Sequence, residues 1–177
     1  IISFEPVTDI FEKLERNAKN DKKWQTYKVG LGSSELIQTI NVSGDSVFSS
    51  LLQTNKYCEN RFGEESKGIE KEEIQIIRLD EFLISNISDF NNRRIFLKMD
   101  TQGYDLETFK GSEMILKSVM AIQSAVSVLP IYEKAPHWTE SISFYESAGF
   151  SVTGLFPVTW DSFNIIEYDC LMTRKAH

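Results

Sequence analysis

The stretch Lys98-Met99-Asp100-Thr101-Gln102-Gly103 combines charge with an apolar strand pattern. Lys98 and Asp100 alternate with apolar neighbours, so both project from one face of a strand that reads as mostly buried. A lysine in such a strand needs a carboxylate partner, because an unpaired buried charge is costly. Two readings stay open: a structural ion pair, or an active-site pair in which Asp100 orients or deprotonates a substrate hydroxyl. Glu5 directly follows residues 1–4, apolar at Ile1, Ile2 and Phe4. A carboxylate at a strand end can accept both hydroxyls of a ribose, one on each oxygen. An ordinary strand-end acid is the alternative. Tyr132 and Glu133 come just after a strand and Pro130, where they would form a pocket wall. His137 and Trp138 sit beside Pro136 in a loop, with substrate contact and plain solvation as competing readings. The serine-bearing segment 46–50, which includes Ser49, is a weaker candidate contact.

Composition narrows the chemistry. There are two histidines, His137 and His177, and two cysteines, Cys58 and Cys170. A His-rich metal site or a two-His triad is therefore not available. Carboxylate-only metal binding stays open, and no metal ligand is assigned. Two cysteines far apart, with no CxxC partner, read as free thiols of a reducing compartment, which points to the cytoplasm. With 41% hydrophobic and 25% charged residues, the chain resembles an ordinary globular protein rather than a disordered chain or a disulfide scaffold. A net charge of −7 does not attract phosphate backbones, so nucleic acid is not an expected partner. No apolar run reaches 18 residues and no signal-peptide pattern is visible, so a membrane partner is not expected either.

The elements that must position these residues alternate. Residues 1–5 read as a strand, about 8–19 as a helix opened by Asp9, and 24–29 as a second strand followed by a turn at 30–34. A weaker strand is expected at 36–42. Val47 and Phe48 begin an apolar insert in a polar stretch, and the charged run 64–73 reads as a solvated loop or exposed helix. Strands follow at 74–78, 94–99 and 120–129, with helices opening at Leu79 and Tyr104, the latter interrupted near Gly111. Thr139 is expected to cap a further helix that ends at Gly149. Strands at 150–156 and 163–174 close the chain as an antiparallel pair. Such alternation calls for an α/β fold whose sheet is mostly parallel, in one domain of 177 residues with a charged excursion at about 52–73. An open sheet of this kind binds its ligand beyond the carboxyl ends of its strands, where Glu5, Gly30, Leu31, Asp100 and Gln102 fall.

Residues 100–111, Asp-Thr-Gln-Gly-Tyr-Asp-Leu-Glu-Thr-Phe-Lys-Gly, resemble the central motif of the FkbM-type methyltransferases, and Phe96-Leu97-Lys98-Met99 before them fits as well. Phe4-Glu5-Pro6, Val29-Gly30-Leu31-Gly32, Leu79-Asp80-Glu81-Phe82, Pro130-Ile131-Tyr132-Glu133, Gly149-Phe150 and Glu167-Tyr168-Asp169-Cys170 follow the same family in collinear order. The resemblance implies a class I, Rossmann-like methyltransferase fold. It also implies S-adenosylmethionine as cofactor and O-methylation of a hydroxyl on a sugar or small natural product. By position it implies cofactor contacts at Glu5, Pro6, Gly30, Leu31, Asp100 and Gln102. Catalytic roles would fall to Asp100 and Lys98, and acceptor contacts to Ser49, Tyr104, Tyr132, Glu133, His137 and Trp138.

Two departures qualify it. The chain opens inside an apolar run, and the family's first strand and glycine-rich loop, which precede Phe-Glu-Pro, have no counterpart. The resemblance thus implies an N-terminally truncated sheet with an unfilled slot between the strand at Ile1 and the strand ending at Asp100. It also implies weak or absent cofactor binding by such a fragment. Exposed edges beside a slot invite pairing with a second copy, so a homodimer is an expectation. Ala125 stands where the family usually carries a glutamate. A catalytically inactive domain that binds a ligand or protein partner is therefore the alternative function. A nicotinamide oxidoreductase would need a GxGxxG turn, which is absent.

Overall fold

The computed structural model describes residues 1–43, 48–66 and 68–175. Ser46, Val47 and His177 lie outside them. Strand β1 (Ile2–Phe4) leads through Glu5 and Pro6 into helix α1 (Thr8–Ala18). Val7 takes the N-cap position with no side-chain cap, and Asp9 lies in the first turn. Strand β2 (Gln25–Tyr27) runs parallel to β1. Residues expected to form one strand and then a turn are split. The chain breaks after Tyr27, and Gly30–Leu31 form a separate short strand, β3, rather than a turn.

Strands β4 (Leu36–Ser43) and β5 (Gly68–Ile77) pair antiparallel, and β3 pairs parallel with β5 on its other edge. The charged run is thus largely a strand and not a loop or helix. Beyond its charges, β5 buries Ile74 and Ile76 on either side of exposed Gln75, and both pack with Val7 and Ile40 in a small apolar cluster. One face is solvated and the other buried, which antiparallel pairing permits. Between these strands, helix α2 (Lys56–Phe62) is capped by Asn55, whose carboxamide oxygen accepts from the Cys58 amide at 2.9 Å. The other end of that carboxamide donates to the Pro130 carbonyl at 2.7 Å and ties the segment to the rest of the fold.

The third sheet holds β6 (Ile95–Met99), β7 (Val119–Ser127), β9 (Asn164–Arg174) and β8 (Phe150–Asp161), in that order. Only β6 and β7 are parallel, and the β8–β9 hairpin is antiparallel as expected. Across the described residues the pairings are half parallel and half antiparallel, so the sheet is mixed rather than mostly parallel. Helices α3 (Leu79–Asn86), α4 (Asp105–Lys110) and α5 (Trp138–Ser147) accompany it. The main core gathers Leu97, Met99, Ile122 and Val126 of the sheet with Phe109 and Tyr145 of the helices. In β6, Leu97 and Met99 are buried while Phe96 and Lys98 are exposed, so this strand has one covered face rather than two. His137, not Thr139, is the N-cap residue of α5, and Thr139 bonds the His137 ring at 2.7 Å. Gly149 closes α5 with a φ of 93°, the left-handed conformation glycine adopts most easily. Cys58 and Cys170 are free, buried thiols. No helix of the described residues is long and apolar enough to cross a membrane.

Candidate functional site

Among the described residues, strand β1 bonds only to β2, and β6 only to β7. The two strands line one cavity of about 1220 Å³, which runs from Arg93 and Ile95 past Leu97 and Met99 to the loop after β6. Phe4 and Tyr27 stack on each other and both meet Phe82 edge-on, with ring centroids 4.7–5.7 Å apart, which holds β1 and β2 against α3.

The cavity gathers Glu5, Pro6, Gly30, Leu31, Ser49, Lys98, Asp100, Gln102 and Tyr104 in its lining. All the residues assigned from the sequence to cofactor contact, and both assigned to catalysis, are therefore together. Glu5 leaves the end of β1 and accepts the Val7 amide on Oε1 at 2.8 Å. Its second oxygen has no hydrogen-bond partner among the described residues. Burial raises the Glu5 pKa, the Val7 amide works against that, and Glu72 adds to it. A half-buried carboxylate with a free oxygen on a cavity wall suits two adjacent hydroxyls. Lys98 Nζ and Asp100 Oδ2 pair at 2.7 Å, but both side chains are about half exposed, 51% and 52%. The burial argument for this pair therefore fails, and such an exposed pair adds little stability, about 0–1 kcal/mol. Asp100 also accepts from Gln102 Nε2 at 3.3 Å, and Gln102 Oε1 accepts the Tyr132 hydroxyl at 3.1 Å.

Residues 1–152 match the family model described as the methyltransferase FkbM domain. The chain belongs to the FkbM methyltransferase family. Its fold is similar to the crystal structure of methyltransferase FkbM from Methylobacillus flagellatus KT, with a TM-score of 0.50 and 14% identity. The likeness covers 97% of this chain and 36% of that one, so this chain spans little more than a third of the solved chain's length. No curated protein matches it.

In this FkbM domain the remaining assigned residues lie apart from the cavity lining. Tyr132 is buried, and its hydroxyl reaches the site through Gln102. Glu133 is exposed, and its amide bonds the Gln53 carbonyl. His137 is exposed, and Trp138 packs between it and Tyr168.

Three half-buried or buried acids that sequence reasoning left without a role lie around the site. Asp105 is buried and accepts from the Thr101 amide (2.7 Å), the Thr101 hydroxyl (2.5 Å), the Ser124 hydroxyl and the Ala125 amide (both 2.9 Å). It locks the 100–104 loop onto β7. Asp80, fully buried, takes both arms of Arg78 at 2.6 and 3.0 Å, and a third Arg78 nitrogen donates to the Ser33 carbonyl. Their sequence signals were acids directly after apolar strands or inside the central motif. Glu167 lies on β9 opposite Ser127, two positions from Asp169, which faces Ala125. Burial, then Asp105, Asp100 and Asp169, push its carboxyl from the ordinary 4.5 up to about 7. Its signal was one of two acids, with Asp169, within the otherwise apolar stretch 165–172.

Proposed function

We infer that this FkbM domain is a Rossmann-like, S-adenosylmethionine-dependent O-methyltransferase acting on a hydroxyl of a sugar or small natural product. The observation that carries the reading is the convergence of Glu5, Gly30, Leu31, Asp100 and Gln102 on one cavity at the ends of β1 and β6. When bound, the cofactor supplies an electrophilic methyl group. Glu5 would hold its ribose through the free carboxylate oxygen. The 100–104 loop, fixed by Asp105, would align the acceptor hydroxyl, and alignment is most of what an in-line displacement needs. Asp100, on the cavity wall, would take the hydroxyl proton, and Lys98 at 2.7 Å would hold Asp100 in place.

Transfer of labelled methyl groups from S-adenosylmethionine to methyl glycosides tests the reading. Asp100→Asn is expected to lower the rate by about 10²–10⁴-fold, the usual worth of a positioned base. A rate equal to wild type would remove Asp100 from the chemistry.

A second reading, a domain that binds ligand without catalysing transfer, is supported by Ala125, which puts a methyl group where an acid would face Asp169. Cofactor binding with no transfer to any acceptor, unrestored by Ala125→Glu, would favour it.

A further inference from the structure

Within the loop after β6, Gln102 has a left-handed backbone, with a φ of 51°. Residues other than glycine hold that conformation where the surroundings over-determine it, often at ligand sites. Two buried hydroxyls supply the determination here. Ser50 Oγ donates to the Gln102 carbonyl at 2.6 Å, and the Tyr132 hydroxyl donates to the Gln102 carboxamide oxygen at 3.1 Å. Ser50 is 1% exposed and Tyr132 3%.

Both hydroxyls are fixed by one short segment. Ser50 exchanges two backbone hydrogen bonds with Asn41 of β4, and its Oγ accepts the Leu52 amide at 3.0 Å. Tyr132 lies between two further backbone bonds, from the Asn55 amide to the Ile131 carbonyl (3.0 Å) and from the Glu133 amide to the Gln53 carbonyl (2.8 Å). The next residue of the site loop leaves no slack, since a Cβ on Gly103 would lie 3.0 Å from Tyr132 Cδ2 and 3.3 Å from Leu52 Cδ1. Residues 50–55 therefore brace the loop after β6, directly through Ser50 and indirectly through Tyr132.

The Tyr132 hydroxyl decides which way the carboxamide points. Burial, with Cys58, Glu167 and Asp100 adding to it, pushes the Tyr132 pKa up, so the phenol keeps its proton. A donor needs an oxygen opposite it, which turns Oε1 toward Tyr132 and Nε2 away. Nε2 donates one hydrogen to Asp100 Oδ1 at 3.3 Å, while Lys98 holds Asp100 Oδ2 at 2.7 Å. The second Nε2 hydrogen has no acceptor among the described residues. Gln102 and Asp100 line the large cavity, whereas Ser50 and Tyr132 stand behind them.

We propose that Ser50 and Tyr132 are positioning residues of the methyl-transfer site. Ser50 sets the Gln102 backbone, and Tyr132 turns the carboxamide so that one N–H clamps Asp100 and the other is offered to an acceptor atom of the bound cofactor. The proposal rests on the reading of the large cavity as the cofactor site.

Amide NMR spectra and calorimetric titration of S-adenosylhomocysteine test it together. The Gln102 side-chain amide signals are identified by their absence in Gln102→Gly, a substitution that suits the left-handed backbone. Tyr132→Phe removes only the hydroxyl. It is expected to move those signals and to weaken the S-adenosylhomocysteine Kd by about three- to tenfold, the worth of one hydrogen bond. Added to Gln102→Gly, the same substitution is expected to change the Kd by no more than about twofold, because Tyr132 then has nothing left to orient. Ser50→Ala is expected to move the backbone amide signal of Gly103, which shares a peptide unit with the Gln102 carbonyl. Unmoved Gln102 signals in Tyr132→Phe, an unchanged Kd, or an equal loss in the Gln102→Gly background overturns the role of Tyr132. An unmoved Gly103 signal overturns that of Ser50. No S-adenosylhomocysteine binding to a folded wild-type chain, with the amide signals moving as expected, would instead remove the cofactor reading and leave the two hydroxyls as the determinants of Gln102 geometry.

Discussion

Burial raises the carboxyl pKa of both Asp105 and Glu167, but the donors around the two acids differ. Asp105 is surrounded by four donor groups and serves as an anchor for the loop that carries Asp100. Glu167 has only the Ser127 hydroxyl at 3.5 Å and three acids nearby. Its folded-state pKa of about 7 lies above the ordinary 4.5, so the folded protein binds this proton more tightly than the unfolded chain does. Its contribution to stability is therefore fully present below pH 4.5 and is lost as pH rises through 7. Glu167→Gln is expected to stabilise the domain at pH 8 by about 1–3 kcal/mol and to have little effect at pH 4.5. Urea unfolding at the two pH values measures this, and a difference independent of pH would show that Glu167 ionises normally. Glu5, Asp100 and Tyr104 were legible in the sequence because each follows an apolar run or a turn at a strand end. The role of Glu167 was not, because it depends on which acids the fold brings beside it.

Among the elements, α4 matters most to the site, because it follows the 100–104 loop directly. It can lie where it does only because its C-cap residue is Gly111. A Cβ at Gly111 would fall 2.0 Å from the Gly32 carbonyl oxygen, a backbone atom with no freedom to move. The Gly111 carbonyl in turn accepts the Asp80 amide at 2.9 Å, joining α4 to α3. Gly111→Ala is expected to destabilise the domain by at least about 1–3 kcal/mol. A change within 0.5 kcal/mol in denaturant unfolding would mean that α4 shifts freely, on the order of an ordinary surface substitution. The interruption near Gly111 was readable from the glycine itself. The conversion of the charged run into β5 was not, because its partner β4 lies some thirty residues earlier and pairing across that distance leaves no local trace. The same holds for β6: its alternation of Leu97 and Met99 with Lys98 was visible, but not that one face stays open.

Taken as a whole, the described residues form a sheet in three pieces rather than one. The piece ending in β1 and the piece beginning with β6 each leave an edge on the same cavity, and Glu5 and Asp100 sit at the carboxyl ends of the two strands. The α/β class and the order of elements were legible, since alternating apolar runs and helical spacings survive in a single sequence. The balance of parallel and antiparallel pairings was not, since strand direction follows from long-range contacts.

That Glu5 and the loop after β6 form a cofactor site is the central claim. Titration calorimetry of S-adenosylhomocysteine into the 177-residue chain and into Glu5→Ala tests it most directly. Measurable binding to wild type, weakened about tenfold or more in Glu5→Ala by loss of charged hydrogen bonds, is the predicted result, against the weak or absent binding that the resemblance implies for the fragment. Binding of equal strength to both proteins, or no binding to a folded wild-type chain, would contradict it.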